Sequence, residues 1–207
     1  MEGDRGQAYT LEGVIGALLI LAAILFALQS VIITPTTSGT VDASVRSELR
    51  TQANDVLVIA AQNDSFGLNK LTRYWHQSEL TFYRATNPRV GYGSAQPPGS
   101  LGVMLNETFR SRSRLYNLFL RYPSPNETGE VLSTPVVYQG QPSKNAVTAT
   151  YTVTLYDNQT LSSPTASAVE LWQYDTSATN GEDGYYPIPN VEEGPVYNVV
   201  EVRLTVW

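Results

Sequence analysis

The residues of this chain that could do chemistry are few, and most of them are carboxylates. Enzymatic catalysis needs a nucleophile beside a base, a carboxylate pair in a cleft, or a metal cluster. The 207 residues contain no cysteine and one histidine, His76, which excludes disulfides, thiolate metal sites, cysteine nucleophiles and any multi-histidine site within one copy. His76 itself reads as a surface or half-buried side chain beside Trp75. No G-x-S-x-G elbow, glycine-rich phosphate loop or H-E-x-x-H occurs. Carboxylates that no local motif marks, such as Glu170 and Asp175, leave a hydrolytic pair open. The acidic stretch holding Asp175, Glu182, Asp183, Glu192 and Glu193 has oxygen ligands for calcium but not the spacing of a calcium loop, and a solvated acidic surface accounts for it better. The expectation is a protein that is not an enzyme, with no catalytic residues, cofactor or metal.

One carboxylate stands apart. Glu12 heads an uncharged run from Gly13 to Ile33, GVIGALLILAAILFALQSVII. That run is about 21 residues, or roughly 30 Å as a helix, which matches the hydrocarbon thickness of a bilayer. A cleaved secretory signal would have a shorter apolar region, a positive n-region and a small-x-small site, whereas here Glu2 and Asp4 offset Arg5. An ionised side chain carried into hydrocarbon is costly unless paired, so Glu12 is a candidate assembly residue. At the headgroup level its carboxylate would stay wet and cost little. Both placements fit the sequence.

Arg5 on one side of the span and Arg46 and Arg50 on the other leave orientation undecided by basic residues. Four N-x-S/T sequons, at Asn63, Asn106, Asn126 and Asn158, all follow the span, and glycans would reach them only with that side outside. The expected location is the cell membrane, single-pass, with the C-terminal domain extracellular. Thirteen basic against 19 acidic residues give a net charge of -6, which argues against a grip on nucleic-acid phosphates. Lys70 and Lys144 are the only lysines, and with the acidic balance this suits a salt-adapted organism.

The string Tyr9-Thr10-Leu11-Glu12 at the start of the apolar run resembles the N-terminus of type IV pilins and archaeal pilin-like proteins, whose short leader is cut ahead of an apolar helix bearing a glutamate. Gly6-Gln7 looks like the glycine–glutamine junction of the archaeal version. The resemblance covers about the first thirty residues and implies processing among Gly6, Gln7 and Ala8. Cutting after Gly6 makes Glu12 sixth in the mature chain, and cutting after Gln7 makes it fifth, the family's usual place. The longer pattern, including the string from Tyr156 to Thr160, is similar to pilin-like membrane proteins of halophilic archaea. These likenesses imply a structural subunit, a minor one, of a cell-surface filament or related assembly machine. Its partners would be membrane lipid, other copies or other pilin-like subunits, and a prepilin-type peptidase. The alternative is a stand-alone membrane-tethered extracellular binding domain.

The elements that must position these residues follow from periodicity. Residues 1–12 are leader-like, 13–33 form the transmembrane helix, and 34–40, with Pro35 and Gly39, form a linker. An extracytoplasmic domain fills 41–207. Val41, Val45, Leu49, Ala53, Val56, Leu57 and Ala60 recur at helical spacing, opposite Asp42, Arg46, Glu48, Arg50 and Asp55. Shorter helices are expected over 68–77 and 101–112. The period then changes to two over Val147–Tyr156 and again from Val200 to Val206. Weaker strands are expected over 114–122 and 169–174, and Pro135 confines 131–139 to an edge or loop. The fold expected is α+β: a transmembrane helix continuing into an amphipathic helix packed on an antiparallel sheet of about four to five strands. Thirteen tyrosines belong partly to the core and partly to exposed surface, in a ratio the sequence does not give.

Overall fold

A computed structural model describes residues 3–30, 37–63, 65–125, 129–174, 185–191 and 194–207. The chain divides into two compact units, Met1–Ala43 and Ser44–Trp207. The first holds helix α1, Gly3–Ser30, which is helical well ahead of Glu12. Its window Tyr9–Phe26 is the one helical stretch among the described residues long and apolar enough to cross a membrane, and none of it is buried. Leu18, Leu19, Ile20 and Phe26 are each more than half exposed, which in water would be a large unfavourable apolar surface.

The second unit has the expected α+β architecture. Helix α2, Thr37–Ala61, starts inside the stretch read as linker, so residues 37–40 are helical, while 31–36 lie outside the described residues. Leu49, Ala53, Val56, Leu57 and Ala60 are its buried stripe, and Val45 is 42% exposed, so the stripe enters the core only from Leu49 onward. At its end the Asn63 side chain accepts the backbone N–H groups of Ser65 and Phe66 at 3.1 and 2.9 Å and turns the chain into the next helix.

Helix α3, Leu68–Thr72, is shorter than the expected 68–77. Trp75 and His76 form strand β1, Trp75–His76, paired antiparallel with β2, Thr81–Phe82. Trp75 gains more there than in a helix, since its ring meets Phe82 edge-to-face at 5.4 Å and is buried. Helix α4, Gly99–Thr108, and a 3-10 turn, Arg110–Arg112, occupy the region expected as one helix over 101–112. Gly102 within α4 leaves room for the Pro97 carbonyl, 1.8 Å from where a Cβ would stand.

Four strands complete the unit: β3, Tyr116–Pro123; β4, Val131–Val137; β5, Val147–Tyr156; and β6, Val196–Val206. They form one antiparallel sheet in the order β4-β3-β6-β5. The Pro135 strand lies at an edge, where its missing N–H costs no ladder bond. The last strand begins at Val196, earlier than Val200. Residues 169–174 are not a strand: Leu171–Gln173 is a 3-10 turn capped by Glu170, and only Glu170 forms a bridge, to Thr160. Leu171 is fully buried, and a single inserted turn places it in the core without the row of backbone partners a strand would need.

One face of the sheet, with Tyr116, Leu118, Leu120, Val153, Val202 and Leu204, belongs to the same core as the α2 stripe, α3 and α4. The tyrosines divide clearly. Tyr186 is completely buried and donates to the Thr72 carbonyl at 2.9 Å, Tyr197 donates to the Ile188 carbonyl at 2.6 Å, and Tyr92 to the Tyr83 carbonyl at 2.8 Å. Tyr122 shares a 2.7 Å hydrogen bond with the Thr134 hydroxyl.

Two predictions come from this packing. Gly91 sits at φ +59, where a Cβ would lie 2.1 Å from the Val136 carbonyl oxygen, so Gly91→Ala should destabilise the domain by about 2 kcal/mol or more, read as a lowered denaturant midpoint at unchanged slope. Burial pushes the Tyr122 hydroxyl from 10.0 up to about 12, its bond to Thr134 pulling slightly the other way, and burial likewise raises Tyr92, Tyr186 and Tyr197. The folded state therefore keeps protons that the unfolded state releases. Stability should be full below about pH 10 and fall as pH rises from there through about 12, with tyrosinate absorbance and loss of far-UV circular dichroism rising together.

Candidate functional site

Two separate places carry candidate residues, one in each unit. In α1, Gly6, Gln7 and Ala8 lie on the helical backbone together with Glu12, so the junction and the glutamate share one continuous helix. Glu12 is exposed, as are its apolar neighbours Leu11 and Val14 at 64% and 57%. A helix of this composition presents apolar surface on every side with one carboxylate near its start, which can enter lipid or pack against helices of the same kind.

The sequons are spread over the second unit. Asn158 is exposed in the turn after β5, the most accessible of those described. Asn106 is half-buried on α4, and Asn63 is half-buried with its carbonyl oxygen committed to the turn described above. Asn126 lies outside the described residues, as do Asp175, Glu182, Asp183, Glu192 and Glu193 of the acidic stretch.

Of the residues weighed for chemistry, Glu170 and His76 are described, and both are engaged in structure. Glu170 caps its 3-10 turn and accepts the Trp172 indole N–H at 2.7 Å. His76 stacks on Tyr83 with ring centroids 5.7 Å apart, and its Nδ1 accepts the Glu79 backbone N–H at 3.2 Å. Among the described residues no group of three or more His, Cys, Asp or Glu side chains gathers as a metal site would require.

Sequence reasoning missed the second place, the open face of the four-stranded sheet. Asn117, Phe119 and Arg121 of β3, Thr148, Thr150 and Thr152 of β5, and Glu201, Arg203 and Thr205 of β6 stand opposite the core on neighbouring strands. A groove of about 530 Å³ runs across this face, walled by Phe119, Arg121, Tyr138, Thr148, Arg203 and Thr205 among others. Arg121 donates to Glu201 at 3.1 Å, the one ion pair among the described residues. The Thr148 and Thr205 hydroxyls are 3.2 Å apart, and the Phe119 and Tyr138 rings meet edge-on at 6.1 Å. Alternation had identified Glu201, Arg203 and Thr205 as the outward face of a strand. What it lacked was the strand order, which sets Arg203 between Phe119 and Thr150. A second cavity of about 500 Å³ lies round the corner of the sheet, lined by Val90, Arg110, Leu115, Tyr138 and Gln139. Its polar groups are largely used internally: the Arg110 guanidinium donates to the Ser94 carbonyl, and Gln139 bonds Tyr116 and Gly93.

No curated protein and no solved structure matches this chain. One family does, and its match runs from residue 5 to residue 206, taking in the apolar helix with Glu12 and every strand of the sheet as one unit of sequence. The chain therefore belongs to a family of unknown function, DUF7288.

Proposed function

We propose that this protein is a pilin-like structural subunit of a cell-surface filament or related assembly machine, held in the membrane by α1 with its C-terminal domain outside the cell. The observation that carries the reading is α1 itself. Its Tyr9–Phe26 window exposes apolar side chains all round, with Glu12 near its start, and no other described helix has this character. An anchor alone needs only apolar length. A carboxylate at the head of that length costs little at the headgroup level, but once drawn into hydrocarbon among packed helices it needs a cation to meet it.

Leader removal among Gly6, Gln7 and Ala8 would create that cation, a new α-amino group a few residues from Glu12 on the same chain or on a neighbour. In a bundle of such helices the apolar residues from Val14 onward bury one another, and the Glu12–amine pair sets the axial register of each added copy. The second unit agrees in layout with this role, a long helix on an antiparallel sheet, although many unrelated domains share that layout. The sequons at Asn63, Asn106, Asn126 and Asn158 suit an outward-facing domain, with Asn158 the best-placed acceptor.

Two experiments test the reading. Fibres sheared from native cells should contain the chain, and Glu12→Gln, which keeps shape and removes charge, should leave the membrane-bound amount unchanged while lowering the sheared amount by roughly fivefold, the effect of about 1 kcal/mol. Equal yields would remove Glu12 from assembly, and a chain found only with membranes would favour the tethered binding domain instead. N-terminal analysis of the native protein should find Gln7 or Ala8 first, whereas Met1 or Glu2 there would mark an uncut anchor.

A further inference from the structure

The open face of the sheet carries an imbalance of charge that the fold does not resolve. Three charged side chains stand close together there: Arg121 on β3, and Glu201 and Arg203 two residues apart on β6. Glu201 is directly opposite Arg121 and takes its guanidinium at 3.1 Å. That leaves one carboxylate for two arginines, and the Arg203 side chain has neither hydrogen bond nor ion pair among the described residues. Arg203 is also half-buried on a central strand, flanked by Phe119 and Thr150, in the wall of the 530 Å³ groove. A chain of net charge -6 thus keeps a locally positive groove.

We infer that this groove binds a carboxylate-bearing sugar, a uronic acid unit of a surface glycan, with Arg203 taking the carboxylate. The planar guanidinium fork matches a carboxylate in bidentate geometry. The hydroxyls of Thr148 and Thr205 face the same groove and can donate to or accept from ring hydroxyls. Phe119 and Tyr138 supply apolar ring surface for the C–H face of a pyranose. The groove's volume is within the range that holds one or two sugar rings.

An acidic peptide would present the same carboxylate, but the groove fits it less well. Peptides that bind sheets add along a strand edge through backbone hydrogen bonds. This groove lies on the face, where the wall offers hydroxyl, amide, guanidinium and aromatic groups and no ladder of backbone N–H and C=O. The inference does not depend on filament formation, since either a subunit or a tethered domain would display the face.

The test is calorimetric titration of the full chain in uncharged detergent micelles at low ionic strength, where an exposed charge contact is least screened. The probes are a short galacturonate oligomer, its methyl ester, and poly-aspartate at equal carboxylate concentration. Galacturonate should bind in the millimolar range or tighter. Methyl esterification and Arg203→Gln should each weaken binding about tenfold or more, and Arg84→Gln, at an exposed turn where the guanidinium lies over the Tyr83 ring and outside the groove wall, should leave it unchanged. Absence of galacturonate binding, equal affinity for the ester, equal affinity of the Arg203→Gln protein, or poly-aspartate binding as tightly as galacturonate would each overturn the proposal. Because the ester comparison uses the unaltered protein, a folding defect in the variant cannot rescue it.

Discussion

The C-terminal unit depends on one seam, the burial of the apolar stripe of α2 in the core it shares with the inner face of the sheet. Without cysteines there is no covalent alternative, so the chain must exclude enough apolar surface to offset its conformational entropy by packing alone. Ala53, Leu57 and Ala60 are completely buried, and so are Leu118, Val200, Leu204 and Val206 on the strands. The two alanines let the helix backbone approach closely while Leu57 fills the space between neighbours, a division of sizes that close packing requires. The rest is arranged around this seam. α3 and α4 close its flanks, and the long connection from β5 to β6 lays Leu161, Leu171 and Tyr186 over what remains open.

Tyrosine carries an unusual share of that closure. The Tyr186 and Tyr197 rings lie tilted to one another with centroids 6.3 Å apart, and each donates its hydroxyl to a backbone carbonyl, Thr72 at the end of α3 and Ile188 ahead of β6. Each ring contributes large apolar area and each hydroxyl anchors an irregular segment. Arg73 does similar work without a carboxylate partner, donating to the Asn69 side chain and the Thr160 carbonyl, so the contacts between α3 and the segment after β5 rest on neutral acceptors. Salt screens charge pairs more than such bonds, and a domain with a single ion pair among its described residues has little to lose at high ionic strength.

What was legible in the sequence was whatever expressed itself as a period. The uncharged run of α1, the apolar stripe of α2 and the alternation of β5 follow directly from backbone geometry, and β5 runs over Val147–Tyr156 as expected. Failures came where tertiary partners decide. Nothing local distinguishes the helical reading of 73–77 from a two-residue bridge to Thr81–Phe82, because the deciding contact is Trp75 against Phe82. The aperiodic 169–174 segment was misread for a related reason, since its one deeply buried residue, Leu171, needs a neighbour and not a ladder. Glu12 and Gly6–Ala8 could be singled out for the proposal above because they lie close together in the sequence. The groove was invisible because its wall is drawn from all four strands, and only the order β4-β3-β6-β5 brings Phe119, Arg203 and Thr148 together.

Both borders of the four-stranded sheet are partly covered. Along β4, the Tyr92 N–H bonds the Val136 carbonyl at 2.8 Å and the Tyr138 N–H bonds the Val90 carbonyl at 3.0 Å, so the 90–92 segment lies against that edge. Along β5, Arg50 and Asn69 side chains reach the carbonyls of Thr148 and Thr154. Open edges are where chains zip together into cross-β ribbons that resist dissolution. A domain whose sheet borders are partly covered in this way can stand at high concentration with less tendency to fuse into such ribbons, because little free strand edge is left for a second copy to pair with.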